Sequence, residues 1–215
     1  MKVPFYLVRH GESETNATIH DIVARGEVPP GPTYAASLTE KGRVQAISAA
    51  SFVHSASNCV KHVWSSYYVR ARQTAAQFGG VPFVDSRVAE QQRGVWHTMH
   101  RNTIATLLPW EIERAEREGW YHYRPLGGEN VPDVELRARA FFRDAYDFLD
   151  GVAADVVVVT HGHWIAAVTR MCAQPYTGPD HATKFPIPGN DSVTRVLYSP
   201  SSGFGFPELL FTPDQ

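Results

Sequence analysis

Two histidines, two arginines and one carboxylate follow four runs of strand-forming residues. Arg9 and His10 follow the first run, Arg70 and Glu90 follow the second and third, and His161 follows the most apolar run. Guanidinium groups bind phosphate oxygens in bidentate fashion and spread the charge of a transition state. A neutral imidazole can attack phosphorus, a second imidazole can hydrogen-bond the equatorial oxygens, and a carboxylic acid can protonate a leaving alkoxide. Together these residue types predict phosphoryl transfer.

The elements that must position these residues alternate between strands and helices. Apolar and β-branched runs predict strands at residues 5–8, 60–64, 81–84 and 156–159, and a final pair of strands at 193–198 and 204–211. Helical spacing predicts helices over 39–53, 69–78 and 164–171, and a longest helix that begins near Pro132. The alternation predicts a three-layer α/β/α sandwich around a mainly parallel sheet, where ligands bind beyond the carboxyl ends of the strands.

Two long segments lack a strand pattern. Residues 17–37 show no periodicity and contain a cluster of prolines, so we predict a long irregular loop there. The tryptophan-rich segment that follows Glu90 predicts a helical insertion at about 94–130 that caps the main body. In the helix over 39–53, Thr39 is the predicted N-cap, and the predicted apolar stripe contains Val44, Ile47 and Phe52 with intervening alanines.

Composition argues against several classes of protein. The 215 residues carry 20 lysines and arginines against 22 aspartates and glutamates, a formal charge of −2, which disfavours a nucleic-acid binder or a polybasic membrane-surface protein. The apolar runs are far shorter than the ~20 residues that span a bilayer. Cys59 and Cys172 lie far apart, without the spacing of a disulfide framework. We therefore expect one cytoplasmic domain over residues 1–215.

Six short motifs occur in an order along the chain that is typical of one family. They are Leu7-Val8-Arg9-His10-Gly11-Glu12-Ser13 with Asn16; Leu38-Thr39-Glu40-Lys41-Gly42 with Gln45-Ala46; Ser65-Ser66 through Arg70-Ala71 to Gln73-Thr74-Ala75; Glu90 with Gly94 and Trp96; Gly127-Gly128-Glu129; and Thr160-His161-Gly162. From Phe5 to about Arg170 the chain thus resembles the histidine phosphatase superfamily, in its phosphoglycerate-mutase-like branch (branch 1). Each motif alone is weak, but the combined match is very specific.

The resemblance implies a role for each of the five side chains. His10 becomes phosphorylated, Arg9, Arg70 and His161 bind the phosphoryl group, and Glu90 is the proton donor. Water then attacks the phosphohistidine while Glu90 switches from acid to base. The resemblance implies no metal and no other cofactor, since arginines and imidazoles supply the positive field.

The resemblance also extends to phosphate contacts and to partners. It implies phosphate hydrogen bonds from Asn16 and from the backbone N–H of Gly162, which would open a helix whose N-terminus favours an anion. The implied partners are a small phosphorylated substrate and inorganic phosphate as the product, with no nucleic acid and no membrane. Proteins that resemble this one occur both as monomers and as homodimers.

Several positions have two interpretations. Arg72 competes with Arg70, but the family pattern Arg-Ala-x-Gln-Thr-Ala selects Arg70. Tyr67-Tyr68 departs from the residues that are common in the family, and we expect a packing role for this pair. Three further histidines are either solvated or capping residues, or they line the substrate pocket: His97, His100 and His163.

We expect net hydrolysis of a small phosphorylated metabolite, and four alternatives stand beside it. Mutases of the family carry a Glu-Arg-His-Tyr-Gly-type signature that Glu90-Gln91-Gln92-Arg93-Gly94 lacks, and a mutase must shield its phosphohistidine from water. Phosphotyrosine hydrolysis fits the aromatic surroundings. His161-x-His163 and His97-x-x-His100 with His10 could hold a metal, although no strong zinc spacing is present. The complete set of two histidines, two arginines and one glutamate argues against a silent module that only binds phosphorylated ligands.

Overall fold

The computed structural model describes residues 1–27, 32–152, 154–173 and 186–213, and within them strands and helices alternate. The strands are β1 (Val3–Arg9), β2 (Val60–Ser65), β3 (Phe83–Val84), β4 (Asp155–Thr160), β5 (Val193–Ser199), β6 (Gly203–Phe204) and β7 (Glu208–Phe211). The α-helices are α1 (Glu14–Ala24), α2 (Glu40–Ala56), α3 (Val69–Ala75), α4 (Val95–Thr98), α5 (Arg101–Leu107), α6 (Pro109–His122), α7 (Val131–Phe148) and α8 (Gly162–Ala173).

One sheet has the strand order β3-β2-β4-β1-β5-β6, and β7 also pairs with β5. The strands β3, β2, β4 and β1 are parallel, whereas β5 runs antiparallel to β1. The predicted strand over 204–211 is wrong as a single element, because it is divided into β6 and β7, which both pair with β5. Pro207, which has no backbone N–H to donate to a ladder, lies in the break between them.

Alternate residues of the central strands build two separate cores. Phe5 of β1 and Val158 of β4 pack in a cluster with residues of α7 and α8, whereas Tyr6 and Val159 pack in a cluster with residues of α2 and α3. All six residues of β4 are buried, which explains its uninterrupted apolar sequence. Helices therefore cover both faces of the sheet, and the predicted three-layer α/β/α sandwich is confirmed.

The prediction of an irregular loop over 17–37 is wrong in its first part. Helix α1 covers Glu14–Ala24, and the backbone N–H of Asn16 donates to the Ser13 hydroxyl at 3.2 Å, as at a helix N-terminus. The helix is rich in threonine and isoleucine, which have low helix propensity, so its sequence does not resemble a helix. A short 3-10 turn follows at Thr33–Ala35, and most of the proline cluster, at residues 28–31, lies outside the described residues.

Helix α2 begins as predicted but buries a different face. Thr39 is its N-cap, because the Thr39 hydroxyl accepts a hydrogen bond from the Gly42 N–H at 3.0 Å. The predicted apolar stripe is wrong at Val44 and Ile47, which are 58% and 53% exposed, whereas Phe52 is partly buried against the core. The buried face instead contains mainly small residues, namely Gly42, Ala46, Ala49, Ala50 and Val53. Small side chains let the helix axis lie close to the sheet, and this closeness places α2 against the loop after β1.

Helices α4, α5 and α6 lie in the segment that was predicted to be helical. A buried network joins α6 to α7 and α8: the Arg170 Nε donates to Glu135 Oε1 at 2.6 Å, and the Arg170 Nη2 donates to the Tyr121 hydroxyl at 2.9 Å. All three residues are at most 5% exposed, and the opposite charges of Arg170 and Glu135 compensate each other in the interior.

Among the described residues, no helix has the length and apolarity that crossing a membrane requires.

Candidate active site

The carboxyl ends of β1, β2 and β4 meet at one edge of the sheet, where the predicted site residues lie. The His10 N–H continues the β1–β4 ladder by donating to the Thr160 carbonyl at 3.0 Å, and the Ser66 N–H donates to the Val159 carbonyl at 3.0 Å. His10 and His161 are therefore side by side, with ring centroids 5.0 Å apart. Helix α3 begins four residues after β2 and carries Arg70 to the same edge.

The ring of His10 has a defined orientation and tautomer. Its Nδ1 is 2.7 Å from the carbonyl oxygen of Gly11, which can only accept, so Nδ1 carries the hydrogen and Nε2 carries the lone pair. The Arg70 Nε donates to this Nε2 at 2.9 Å. Burial, and then the positive charges of the Arg70 and Arg9 guanidinium groups, hold the pKa of His10 well below 6.5. His10 is thus a neutral imidazole with an available lone pair.

Arg70 uses each of its nitrogens at this site. Besides its bond to His10, its Nη1 donates to the Thr33 carbonyl at 2.6 Å and its Nη2 lies 3.4 Å from the His161 Nδ1. The guanidinium carbon also lies 4.6 Å from the centre of the Tyr68 ring, a cation–π distance. Arg70 is 7% exposed and burial lowers its pKa, whereas Arg72 is exposed on the outer side of α3.

His161 is fully buried between His10 and Tyr68. Its Nε2 lies 2.8 Å from the Ser66 hydroxyl, and its Nδ1 faces the donating guanidinium of Arg70. Because Nδ1 faces a donor, Nε2 carries the hydrogen and donates it to Ser66. Burial lowers the pKa of His161 to about 3. The negative charge of Glu90 opposes this shift, and the positive charge of Arg70 adds to it. His161 is neutral near pH 7.

Arg9 lies against the start of α8. Its Nη1 donates to the Pro188 carbonyl at 2.6 Å, and its buried Nε has no partner among the described residues. Burial lowers its pKa, while the charges of Glu90 and Asp191 oppose that shift. A Cβ on Gly162 would lie 2.5 Å from Ile187 Cγ2 and 3.4 Å from the Arg9 Nε, so a side chain here would have to displace Ile187. The helix N-terminus and the guanidinium together form a positive corner.

Asn16 lies at the same edge of the sheet, and its amide oxygen is held within the protein. Its Oδ1 accepts hydrogen bonds from the Ser13 N–H at 3.2 Å, the Ser13 hydroxyl at 2.9 Å and the Asn190 Nδ2 at 3.3 Å. These three bonds use the acceptor side of the amide and leave the Nδ2 group without a partner among the described residues. Asn16 lines a pocket of about 460 Å³ with Arg70 and Glu90. Its free donor suits an anion in that pocket.

Glu90 stands on the opposite wall of the pocket, with its side chain 16% exposed. Its Oε1 accepts from the Gln91 N–H at 2.9 Å, and its Oε2 lies 3.4 Å from the His163 Nδ1. Burial raises the pKa of this carboxyl, but the hydrogen bond and charge of His163, followed by His161, outweigh burial and hold the pKa below 4.5. In the ligand-free protein Glu90 is therefore ionised.

Several residues of the site were not selected from the sequence. Tyr68 was expected only to pack, yet it contacts both Arg70 and His161. The loop before β5 contributes Asn190, whose Nδ2 donates to the His10 carbonyl at 3.2 Å, and Asp191, whose backbone N–H donates to the Arg9 carbonyl at 3.0 Å. This loop directly precedes β5. It therefore lies at the amino end of a strand, whereas the sequence pattern favoured residues beyond the carboxyl ends.

Asp191 is a buried acid beside the site. It is fully buried, and neither carboxyl oxygen has a partner among the described residues. Burial raises its pKa to about 8, although the charge of Arg9 opposes the shift. An added Cβ on Gly11 would come within 2.6 Å of the Asp191 Oδ2, so the carboxyl lies against the backbone that follows His10. At neutral pH this group is predominantly protonated.

The three histidines with open interpretations lie around the pocket. His97, His100 and His163 all line it, together with Trp96, Met99 and Arg101 from the helical segment. Burial, followed by the charge of Arg93, lowers the pKa of His97. Among the described residues, no three histidine, cysteine, aspartate or glutamate side chains are grouped so that they could hold a metal ion. The alternative of a metal centre therefore has no ligand set in this part of the chain.

Known proteins resemble this chain in both sequence and structure. A sequence model described as the histidine phosphatase superfamily (branch 1) matches residues 5–204. The chain is 31% identical over 133 residues to 6-phosphofructo-2-kinase/fructose-2,6-bisphosphatase 1 of Mus musculus, with 61% of this chain and 26% of that protein covered. The chain thus spans about a quarter of the length of that curated relative.

Two further similarities extend over more of the chain. It is 30% identical over 169 residues to a protein of Salmonella paratyphi A named "Probable phosphoglycerate mutase GpmB", with 73% of this chain and 68% of that protein covered. Among solved structures, mycobacterial glucosyl-3-phosphoglycerate phosphatase in complex with VO3 superposes with a TM-score of 0.69 at 26% identity. That comparison covers 96% of this chain and 98% of the other.

Proposed function

The chain belongs to branch 1 of the histidine phosphatase superfamily and is an enzyme of the phosphatase and phosphoglycerate mutase type, and we propose that it hydrolyses a phosphomonoester through a phosphohistidine at His10. The observation that carries the proposal is the state of His10. Its Nδ1 is engaged by the Gly11 carbonyl, and its Nε2 lone pair faces the donor Nε of Arg70. A neutral, oriented imidazole next to buried cations is what attack on phosphorus needs.

In the first step the Nε2 of His10 attacks phosphorus. The N–P bond forms as the bond between phosphorus and the leaving oxygen breaks, and Glu90 gives its proton to that oxygen. Arg70 transfers its hydrogen bond from Nε2 to a phosphoryl oxygen, and the guanidinium of Arg9 neutralises further charge. Two more donors complete the phosphoryl site, namely the Asn16 amide and the backbone N–H of Gly162. His161 joins them only with a proton on its Nδ1, a form that the negative charge of a bound phosphate favours.

In the second step water attacks the phosphohistidine. Glu90, now ionised, takes a proton from the water as the new P–O bond forms, the N–P bond breaks and inorganic phosphate leaves. In the ligand-free protein the pKa of Glu90 lies below its ordinary value because of His163 and His161, despite burial. The negative charge of a bound phosphate group raises that pKa, so arrival of the substrate prepares Glu90 to act as an acid.

The proposed domain organisation is a single domain over residues 1–215 with a helical segment at about 94–130 over the site. Trp96, His97, Met99, His100 and Arg101 of this segment line the pocket with Arg70 and Glu90, which supports the proposal. A pocket of about 460 Å³ suits a small phosphorylated metabolite. The phosphatase relative that acts on a phosphorylated sugar acid, by its name, belongs to the same substrate range.

A second candidate reaction is phosphoryl transfer between positions of a sugar acid. Its support is the 30% identity to the protein named as a phosphoglycerate mutase. Hydrolysis is favoured because Glu90 and His163 are not sealed from solvent: the His163 side chain is 37% exposed beside the site where the intermediate would form. A mutase must keep water away from its phosphohistidine.

The test is phosphate release from a panel of phosphomonoesters with a chelator present. The panel contains 3-phosphoglycerate, sugar phosphates, phosphotyrosine and p-nitrophenyl phosphate, and the wild type is compared with His10→Ala. Hydrolysis that resists the chelator, disappears in the variant and passes through an acid-labile phosphoenzyme supports the proposal. A folded wild type that releases no phosphate, but isomerises 3-phosphoglycerate when primed with a bisphosphorylated sugar acid, contradicts hydrolysis in favour of a mutase.

A further inference from the structure

A second cavity lies beside the proposed catalytic pocket. Its volume is about 520 Å³, and residues of α6, α7 and α8 line it. We call it the lateral cavity. Four residues line both the lateral cavity and the catalytic pocket, namely Arg93, Trp96, Arg101 and His163. The two spaces are therefore neighbours that meet at this group of side chains.

The proton donor lies next to this junction. The Nδ1 of His163 is 3.4 Å from the Oε2 of Glu90, the atom that would protonate the leaving oxygen. If Glu90 protonates the leaving oxygen while Arg70 and His10 bind the phosphoryl group, the released alcohol lies beside Glu90. A carbon skeleton that extends from there past His163 enters the lateral cavity.

The aromatic wall of the lateral cavity is fixed by hydrogen bonds. The Trp96 Nε1 donates to the Tyr123 hydroxyl at 2.8 Å, and that hydroxyl donates to the Glu111 Oε2 at 2.7 Å. Glu111 is 1% exposed and also accepts from the Leu126 N–H at 3.0 Å. The polar atoms of both rings are thus satisfied within the wall. The wall therefore presents ring carbon atoms to an occupant, in fixed positions that suit apolar contact.

Much of the remaining lining is aliphatic, and its side chains of fixed charge are arginines. The aliphatic lining comes from α6, α7 and α8 and includes Ala115, Val131, Val134, Ala166 and Ala167. Among the described residues no carboxylate lines the lateral cavity, whereas Arg93 and Arg101 do. Arg101 is paired with Glu116 at 3.5 Å, whereas Arg93 would repel a cationic alcohol. A neutral apolar group meets no such repulsion.

We propose, on the basis of the hydrolase function above, that the alcohol released from the substrate carries an apolar ring or chain that occupies the lateral cavity. The substrate is then a phosphomonoester that is polar at the phosphate and apolar beyond it. The catalytic pocket binds the phosphate, and the lateral cavity selects among phosphate esters by the size of the apolar group. This assigns specificity to α6, α7 and α8 rather than to the phosphate-binding residues.

A series of alkyl phosphates tests the proposal in the wild type. Ethyl, butyl and hexyl phosphate share one phosphate group and have leaving alcohols of nearly equal acidity, so the chemical step is constant across the series. Transfer of one methylene from water to an apolar cavity predicts a gain in kcat/KM of about fourfold per added carbon. Equal kcat/KM for all three esters, with hydrolysis clearly measurable, overturns the inference and leaves the hydrolase proposal intact.

Filling the cavity tests its location. Ala166→Phe on α8, and independently Ala115→Phe on α6, should abolish the advantage of hexyl over ethyl phosphate while ethyl phosphate is still hydrolysed. Ala105→Phe, at an exposed position of α5 outside the cavity, is the matched control and should keep the wild-type preference. If a folded Ala166→Phe or Ala115→Phe variant keeps that preference, the apolar group binds elsewhere and the inference is wrong.

A binding experiment separates this inference from the hydrolase proposal. Hexylphosphonate and ethylphosphonate cannot be hydrolysed, and calorimetry with the wild type should show tighter binding of the hexyl compound by the same factor per methylene. Should the enzyme hydrolyse no ester at all, the hydrolase proposal fails, and with it the inference about the released alcohol. Equal affinities for the two phosphonates contradict the lateral cavity as the binding site whatever the turnover.

Discussion

The Nε of Arg70 donates a hydrogen bond of 2.9 Å to the Nε2 of His10, the atom that we propose as the nucleophile. A guanidinium cannot accept a proton, so this contact keeps the Nε2 lone pair unprotonated and directed into the pocket. The same guanidinium is anchored by its Nη1 to the Thr33 carbonyl at 2.6 Å. Arg70 is thus fixed before substrate arrives, and its hydrogen bond can pass from the imidazole to a phosphoryl oxygen.

We predict that Arg70→Lys lowers kcat/KM on any phosphomonoester by a factor on the order of 100, as loss of a preorganised donor to a transition state does. A lysine ammonium keeps the charge but cannot reach His10, Thr33 and the phosphoryl group with planar donors. Arg72→Lys, two residues along on the exposed side of α3, is the control and should be neutral. Steady-state kinetics on both variants decides; equal losses would remove Arg70 from the phosphate site.

The second prediction concerns the leaving group. Glu90→Gln should slow hydrolysis of an alkyl phosphate by a factor of about 100 or more, because general acid catalysis supplies rate enhancements of that order. The same variant should affect p-nitrophenyl phosphate far less, since the nitrophenolate leaves without a proton. The ratio of the two kcat/KM losses is the quantity to measure. A ratio near one would place the acid on another side chain.

The third prediction follows from the contact between His163 and Glu90. Burial raises the pKa of Glu90, and the hydrogen bond and charge of His163 lower it. Removing His163 in His163→Ala therefore raises the pKa of Glu90 and keeps the carboxyl protonated to a higher pH. For an alkyl phosphate, the fall in kcat/KM with rising pH should shift upward in this variant.

The readout for His163→Ala is the pH profile of kcat/KM with two substrates. The profile for p-nitrophenyl phosphate, which needs no proton from Glu90, is the internal control and should keep its shape. A downward shift of the alkyl phosphate profile, or an equal shift for both substrates, would contradict the assignment of Glu90 as the acid that His163 tunes.

The part of the site that sequence reasoning predicts is the part built by parallel strands. Arg9 is the last residue of β1, and His10 and His161 directly follow β1 and β4. Parallel neighbours end at the same edge, so the proximity of these residues follows from strand order alone. Arg70 lies at the start of α3, shortly after β2. Because the connection from β2 to α3 is short, Arg70 must lie close to His10. Knowledge of the strands was therefore nearly sufficient for these four residues.

The features that the sequence did not reveal depend on the direction and packing of elements rather than on their order along the chain. Strand β5 runs antiparallel to β1, so the loop before it, with Asn190 and Asp191, lies at the catalytic edge, and no pattern in β5 itself reveals its direction. The stripe of α2 was misassigned because the close approach of helix and sheet selects alanine and glycine over Val44 and Ile47. Both outcomes are set by tertiary packing, which overrides local pattern.

The fourth prediction concerns the contact between α2 and the loop after His10. A Cβ on Gly42 would lie 2.0 Å from the Glu12 carbonyl oxygen, and one on Gly11 would lie 2.3 Å from the Gly42 carbonyl oxygen. Alanine ordinarily stabilises a helix interior by up to about 1 kcal/mol relative to glycine. Here backbone atoms that cannot move cheaply oppose it, so Gly42→Ala should destabilise the fold and displace the Gly11 carbonyl that orients His10.

Urea denaturation and kinetics together check the Gly42→Ala prediction. We expect a loss of about 1–3 kcal/mol in the free energy of unfolding, the range for overpacked sites, together with reduced kcat. Ser48→Ala, at an exposed position of the same helix, controls for the helix propensity of alanine and should be nearly neutral. A stabilised Gly42→Ala variant with full activity would show that α2 can move away from the loop.

The last prediction is a pH dependence of stability that originates in Asp191. Burial raises the pKa of this carboxyl from 3.8 to about 8, while Arg9 opposes the shift. Between these values the native protein holds a proton that the unfolded chain releases. The free energy of unfolding therefore falls as pH rises through this window, by up to about 1.4 kcal/mol per pH unit, and the fall ceases above the folded pKa.

Asp191→Asn removes the titrating proton, so the variant should lose less stability than the wild type between pH 5 and 8, although the buried amide has its own unsatisfied polar atoms. Asparagine tolerates the positive φ of 55° at this position. Asp150→Asn is the matched control, because Asp150 has a φ of 46° but is exposed, and its slope should equal that of the wild type. Urea denaturation of the three proteins at several pH values measures these slopes. If Asp191→Asn retains the full wild-type slope, the native protein does not hold its excess proton on Asp191, and another buried group must account for it.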